Sequence, residues 1–191
     1  MTTDVKAGFF ADTVVLVEGT KDKAAIAGVA STIDVDFQQC GTAVIACDGK
    51  DNMPKIIAIF QALRVPVYAI WDNDCGESNV PKNVKLNETL LKLCQKEGDS
   101  PNLCQERVEG TFACFNNELH DTLSADLGAD VYKTCFNNAR KNFGLGQEKG
   151  KTHPQVIKKL CTLAEQQDKR ASTLISIIER ITALQDELVK S

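Results

Sequence analysis

The sequence predicts an α/β protein built on a parallel sheet with helices packed against it. Two observations carry that reading. Thr13-Val14-Val15-Leu16-Val17 and Val65-Pro66-Val67-Tyr68-Ala69-Ile70-Trp71 are unbroken apolar runs rich in β-branched residues, as expected of strands covered on both faces. Between them, helical and strand-like stretches alternate, and that order winds into a parallel sheet by right-handed crossovers.

After the first strand, Lys21 to Ser31 has the alanine content and apolar spacing of a helix lying on a sheet, with Thr20 as its N-cap. Gly19 lets the backbone turn sharply between the two. A short strand is expected around Val35 to Phe37, and Thr42 to Ala46 is the next interior strand. It ends in the polar loop Cys47-Asp48-Gly49-Lys50-Asp51-Asn52. Met53 to Leu63 carries a helical stripe of Ile56, Ile57, Ile59, Phe60 and Leu63, with Pro54 in its first turn, where proline is tolerated. A loop from Cys75 to Lys85, a helix from Leu86 to Lys96 and a loop from Glu97 to Gln105 follow the second apolar strand. Arg107 to Phe115 reads as one further strand leading into Asn116-Asn117-Glu118.

From Leu119 onward the pattern is helical: Glu118 to Ala125, Ala129 to Phe143, His153 to Ala164 and Arg170 to Val189, with a flexible, basic-leaning loop at residues 143–151. The last helix aligns Leu174, Ile177, Ile178, Ile181, Leu184 and Leu188 on one face, for packing on the sheet or against a second copy in a homodimer. The division expected is an α/β domain at 1–115 and, at 116–191, the remainder of that domain with a helical subdomain.

Composition sets the class. With 191 residues, 43% of them hydrophobic, and mixed charges, the chain buries one good core or one domain with a smaller appendage. A net charge of −4 gives no global attraction to nucleic acid. The eight cysteines are irregularly spaced with no Cys-x-x-Cys, and only two histidines are present, so a zinc site has no support and reduced thiols are expected. No apolar run approaches the roughly 20 residues of a membrane span, and the amino terminus does not read as a signal peptide; a cytoplasmic location is expected.

The chemistry is carried by acids at strand ends. Glu18 closes the first strand, Asp22 falls one helical turn later, and Asp72-Asn73-Asp74 closes the second. If those strands are neighbours, Glu18, Asp22, Asp72 and Asp74 meet at the carboxyl edge of the sheet, where α/β proteins place their sites. Four carboxylates gathered there repel one another unless a divalent cation sits among them, and hard oxygen ligands suit Mg²⁺ or Mn²⁺.

Glu-Gly after a hydrophobic strand, followed some fifty residues on by Asp-x-Asp after another, resembles the Toprim fold of topoisomerases, primases and certain nucleases. The stretches at 10–19, 48–55 and 66–74 look like the C-terminal part of the OLD (overcoming lysogenization defect) family nucleases. The resemblance implies a metal-dependent DNA endonuclease using two Mg²⁺ or Mn²⁺ ions and no organic cofactor. It implies an ATPase domain in the full-length protein; the phosphate-binding Gly-x-x-x-x-Gly-Lys-Ser/Thr loop is absent here, so the chain reads as an excised nuclease region. Carried over residue by residue, the resemblance puts Glu18, Asp72 and Asp74 at the metals, with Asp22, Asn116 and Glu118 as further ligands. It also implies a transition-state-stabilising lysine, placed at Lys151, with Lys149 second.

Plainer roles exist for each. Asp22 also suits a helix amino terminus, Asp-Asn-Asp suits a turn, and Lys151 suits a solvated loop. Asp48, Lys50 and Asp51 read as polar loop groups, His120 as a helix-surface residue and His153 as an N-cap neighbour. A small Toprim RNA-processing nuclease and a non-catalytic Toprim module that binds nucleic acid or a partner are the competing functions. A topoisomerase is disfavoured, because only Tyr68 and Tyr132 exist and Tyr68 lies inside a strand.

Overall fold

The computed structural model describes residues 3–74, 80–94 and 105–189. Strands β1 (Thr13–Val17), β2 (Thr42–Ala46), β3 (Val67–Asp72), β4 (Arg107–Val108) and β5 (Phe112–Phe115) form one sheet in the order β2-β1-β3-β5-β4. All neighbours are parallel except β4 and β5. The helices are α1 (Thr3–Gly8), α2 (Thr20–Ala30), α3 (Met53–Ala62), α4 (Val80–Cys94), α5 (Leu119–Leu127), α6 (Ala129–Asn142), α7 (Gln147–Lys151), α8 (Pro154–Glu165) and α9 (Ser172–Val189).

Strand alternation divides the core into two layers. Val15 and Val17 of β1, Tyr68 and Ile70 of β3, and Ala113 and Phe115 of β5 point to one face, beneath α2, α5, α6, α8 and α9. Val14 and Leu16, Ala69 and Trp71, and Phe112 and Cys114 point to the other, beneath α1, α3 and α4. Because both faces are covered, the β1 run needs no polar positions, and each of its fully buried aliphatic side chains contributes on the order of 2 kcal/mol.

The helices of the carboxyl-terminal part pack onto the sheet. Their buried residues, from Leu119 to Ile181, belong to the same apolar cluster as α2 and the β1 face. The join is close: a Cβ on Gly28 would stand 2.5 Å from Ile157 Cβ and 2.7 Å from the Pro154 carbonyl oxygen, so only glycine admits α8 at this distance. Leu174, Ile177, Ile178 and Ile181 of α9 are buried within the chain, so that part of the stripe is spent on intramolecular packing.

Several local expectations are corrected. Arg107 to Phe115 is two antiparallel strands, not one, because the chain reverses at Gly110 and pairs Val108 with Ala113. No strand forms at Val35–Phe37; Asp36 accepts the Gln38 and Gln39 amides in a turn while Phe37 enters the core. The helix expected from Leu86 starts earlier, at Val80, and part of the loop expected at 143–151 is the helical turn α7. Of the expected loops, residues 75–79 and 97–104 lie outside the described residues, as do residues 95–96 of the expected helix. Cys40, Cys47, Cys94, Cys114, Cys135 and Cys161 are free thiols. Among the described residues no helix is long and apolar enough to cross a membrane.

Candidate metal centre

Parallel pairing puts the carboxyl ends of β1, β3 and β5 side by side. Val17 is opposite Ile70, and Asp72 is opposite Phe115. The acid-bearing segments 18–22, 72–74 and 116–118 therefore leave the sheet at one edge. The Glu18 carboxylate accepts the Asp72 amide at 2.8 Å, a direct link between the two acidic motifs across 54 residues of chain.

Around that link a polar scaffold holds the Asp72-Asn73-Asp74 turn. Asn73 is fully buried; its amide donates to the Phe115 carbonyl at 2.5 Å and its side chain donates to the Gln105 carbonyl and the Asn116 side-chain oxygen. Asn87 donates to the Asn73 carbonyl at 2.7 Å, and Asn83 to the Asp74 carbonyl at 3.2 Å. Asp74 itself lies at φ 51°, a left-handed conformation that Asp tolerates better than most side chains. Asp72-Asn73-Asp74 is thus held by hydrogen bonds with Phe115, Gln105, Asn116, Asn87 and Asn83 of other segments.

The Asp22 carboxylate accepts the Gly19 amide at 3.0 Å, closing the first turn of α2. Gly19, not Thr20, is the N-cap residue. Glu118 is the N-cap residue of α5, where its side chain is exposed; its charge reaches Asp22 and Asp72. Asn116 is exposed and bonded to Asn73 and Glu106.

Electrostatics record the convergence. Burial pushes the Asp72 carboxyl up to about 9, helped by the charges of Glu18, Asp22, Asp74 and Glu118. Burial likewise pushes Glu18 up to about 7, against the pull of the Asp72 amide and the Lys50 ammonium, and raises Asp22. Asp72 lies within repulsive range of the other four acids.

Lys50 departs furthest from its expected role. Instead of standing as a loop polar group, it is 7% exposed, and its ammonium donates to the Asp72 carbonyl and, at 3.0 Å, to the Asp74 carboxylate. Its loop is bent inward by positive φ at Asp48 and Gly49, and the Gly49 amide donates to the Glu18 carbonyl at 2.9 Å. The available signal was charge balance: four acids at one edge call for a cation, and Asp48-Gly49-Lys50 leaves β2 at that edge.

Lys151 ends α7 and lines a small cavity of about 210 Å³ with His120, Tyr132 and Gln147. Lys149 is exposed on the same turn. Among the described interactions, none joins either lysine to Glu18, Asp22, Asp72 or Asp74. His120, expected on the surface, is 3% exposed, and its Nδ1 lies 3.1 Å from the Tyr132 hydroxyl. Tyr68 is fully buried, its hydroxyl donating to main-chain carbonyls of Glu109 and Phe112.

Residues 9–74 match the family model of the overcoming lysogenization defect protein-like Toprim domain. Beyond that segment, the whole architecture is similar to the C-terminal region of the Xanthomonas campestris pv. campestris OLD protein, at 15% identity and a TM-score of 0.61, over 95% of this chain and 98% of that one. The C-terminal region of the Burkholderia pseudomallei OLD protein gives 19% identity and a TM-score of 0.58, over 93% and 100%. At such identities the likeness is one of fold. No curated protein sequence matches the chain.

The acidic edge fits a divalent cation in chemistry and charge. Its donors are carboxylate oxygens, and Glu18 and Asp74 face the buried Lys50 ammonium. Among the described residues, however, no three Asp, Glu, His or Cys side chains already surround one point. Glu18, Asp22 and Asp74 are each turned onto a protein donor.

Proposed function

We propose that this chain is the metal-dependent DNA endonuclease region of an ATPase-Toprim protein, with residues 1–115 as the catalytic domain and 116–191 as its remainder and a helical subdomain. The observation that carries the reading is the meeting of Glu18 with the Asp72-Asn73-Asp74 turn across adjacent parallel strands of an OLD-like Toprim domain.

In this reading Glu18, Asp72 and Asp74 hold Mg²⁺ or Mn²⁺, with Asp22, Glu118 and Asn116 completing the ligand set. When bound there, two such ions would supply an activated water and neutralise charge on the cleaved phosphodiester. The chain's own part is to keep its oxygens in place: Asn73, Asn83 and Asn87 fix the Asp72–Asp74 turn, and the Gly49 amide fixes the backbone at Glu18. Lys151 acts as a fixed positive charge toward the scissile phosphate. The hydrolysis of DNA by this edge requires every one of the three central acids.

The test is nicking of supercoiled plasmid with a panel of Mg²⁺, Mn²⁺ and Ca²⁺, with an RNA substrate in parallel. Cleavage of plasmid that disappears in Glu18→Ala and Asp72→Ala is expected. Variants that cut as well as the parent refute the site, and cleavage confined to RNA refutes the substrate.

A further inference from the structure

Lys50 brings its nitrogen into the acidic edge, and the way it is held has a consequence for ion binding. Its side chain is almost wholly covered, yet it is not paired one-to-one on a surface. One bond goes to a backbone carbonyl, that of Asp72, and one to a carboxylate, that of Asp74. It thereby ties together the two ends of the turn that carries both acids. The loop that delivers it is in turn bonded to the Glu18 backbone, and Asn52 secures that loop by donating to the Cys47 and Asp48 carbonyls. An ammonium held by oxygen atoms among carboxylates occupies the electrostatic role of a bound cation. A carboxylate oxygen engaged by Nζ at 3.0 Å is not free to enter the shell of a hard ion.

Resting on the metal-dependent reading above, we propose that Lys50 is a positioning residue that serves as a tethered counter-ion: it holds Asp74 and the Asp72 backbone in place when no divalent cation is bound, and gives up Asp74 when one enters. Ion binding is then an exchange. The edge is kept assembled without metal, and the cost of detaching Lys50 from Asp74 is subtracted from the affinity. Lys50 does not touch the reacting atoms in this scheme; it acts through Asp74.

The experiment is calorimetric titration of Mn²⁺ into chelator-stripped full chain without DNA, with melting temperatures recorded with and without Mn²⁺. Lys50→Gln keeps an amide donor but removes the charge; Lys50→Arg keeps the charge. Lys50→Gln is expected to melt below the parent in chelator, to bind Mn²⁺ about tenfold more tightly, and to show a larger Mn²⁺-induced rise in melting temperature. Lys50→Arg is expected to bind within about threefold of the parent. A Lys50→Gln protein whose melting temperature drops equally with and without Mn²⁺, and whose Kd is unchanged or weaker, overturns the proposal. If Lys50→Gln does not fold, a crystal structure of the parent with Mn²⁺ decides: Nζ beyond hydrogen-bond distance of Asp74 supports the exchange, and an intact bond overturns it. A parent that binds no divalent ion and nicks no plasmid sinks the nuclease reading as well. A parent that binds and nicks, with Lys50→Gln no tighter, sinks only the role of Lys50.

Discussion

Replacing Asp72 by asparagine separates stability from function. At pH 7 an unfolded Asp72 is ionised, whereas in the fold burial and four neighbouring acids push it from 3.8 up to about 9, so it keeps its proton. Holding that proton about three pH units above the ordinary value opposes folding by about 4 kcal/mol, at ~1.4 kcal/mol per unit. The sign follows from proton counting. Between 3.8 and about 9 the native state binds more protons than the unfolded chain, so the parent loses stability as pH rises through that window. The asparagine side chain of Asp72→Asn cannot ionise in either state and escapes that loss. Because the new amide needs partners of its own, the net gain expected at pH 7 is about 2 kcal/mol, or roughly 4–8 °C in Tm for a chain of this size. The assay is thermal melting in chelator at pH 5, 6, 7 and 8, where the Asp72→Asn advantage widens with pH. If Asp72 is a ligand as proposed, the order is expected to reverse with Mn²⁺ present, since the parent's carboxylate binds the ion more tightly than the variant's amide. A variant that melts below the parent throughout, with no widening, refutes the argument that Asp72 is a desolvated member of an acidic cluster.

Other expectations follow from packing and charge. Gly28→Ala brings a Cβ within 2.5 Å of Ile157 and is expected to destabilise the α2–α8 contact by about 1–3 kcal/mol in denaturant melts, despite alanine's better helix propensity. Trp71→Ala, which removes a buried ring stacked on Phe112 at 5.2 Å, is expected to cost about 3–5 kcal/mol by the same measurement. Lys151→Ala is expected to leave the Mn²⁺-induced rise in Tm intact while lowering plasmid nicking by about tenfold or more; nicking at the parent's rate removes Lys151 from the mechanism. Glu148→Gln breaks an exposed ion pair with Lys21 and is expected to leave the melting temperature unchanged.

Much of the edge was legible in the chain itself. Runs such as Thr13–Val17 and Val67–Trp71 announce doubly covered strands by composition alone, and an acid placed directly after each must leave the sheet at its carboxyl end. Those are local properties, decided by periodicity and by the direction of the backbone. The break at Gly110 and the absence of a strand at Val35–Phe37 were less visible, because a two-residue strand and a turn differ only in which neighbour the backbone finds.

What only tertiary structure decided is which side chains complete the edge. Lys50 enters the acidic cluster because two positive-φ residues bend its loop inward and partners 22 and 24 positions away receive its nitrogen, and no local pattern specifies that distance. The helices after residue 118 share the sheet's core for a similar reason: Gly28 lets α8 come close enough to α2 for one apolar cluster to form. Spacing along the chain determines strands, helices and the acids at their ends; the packing of segments remote in sequence determines which of those charges must share one desolvated space.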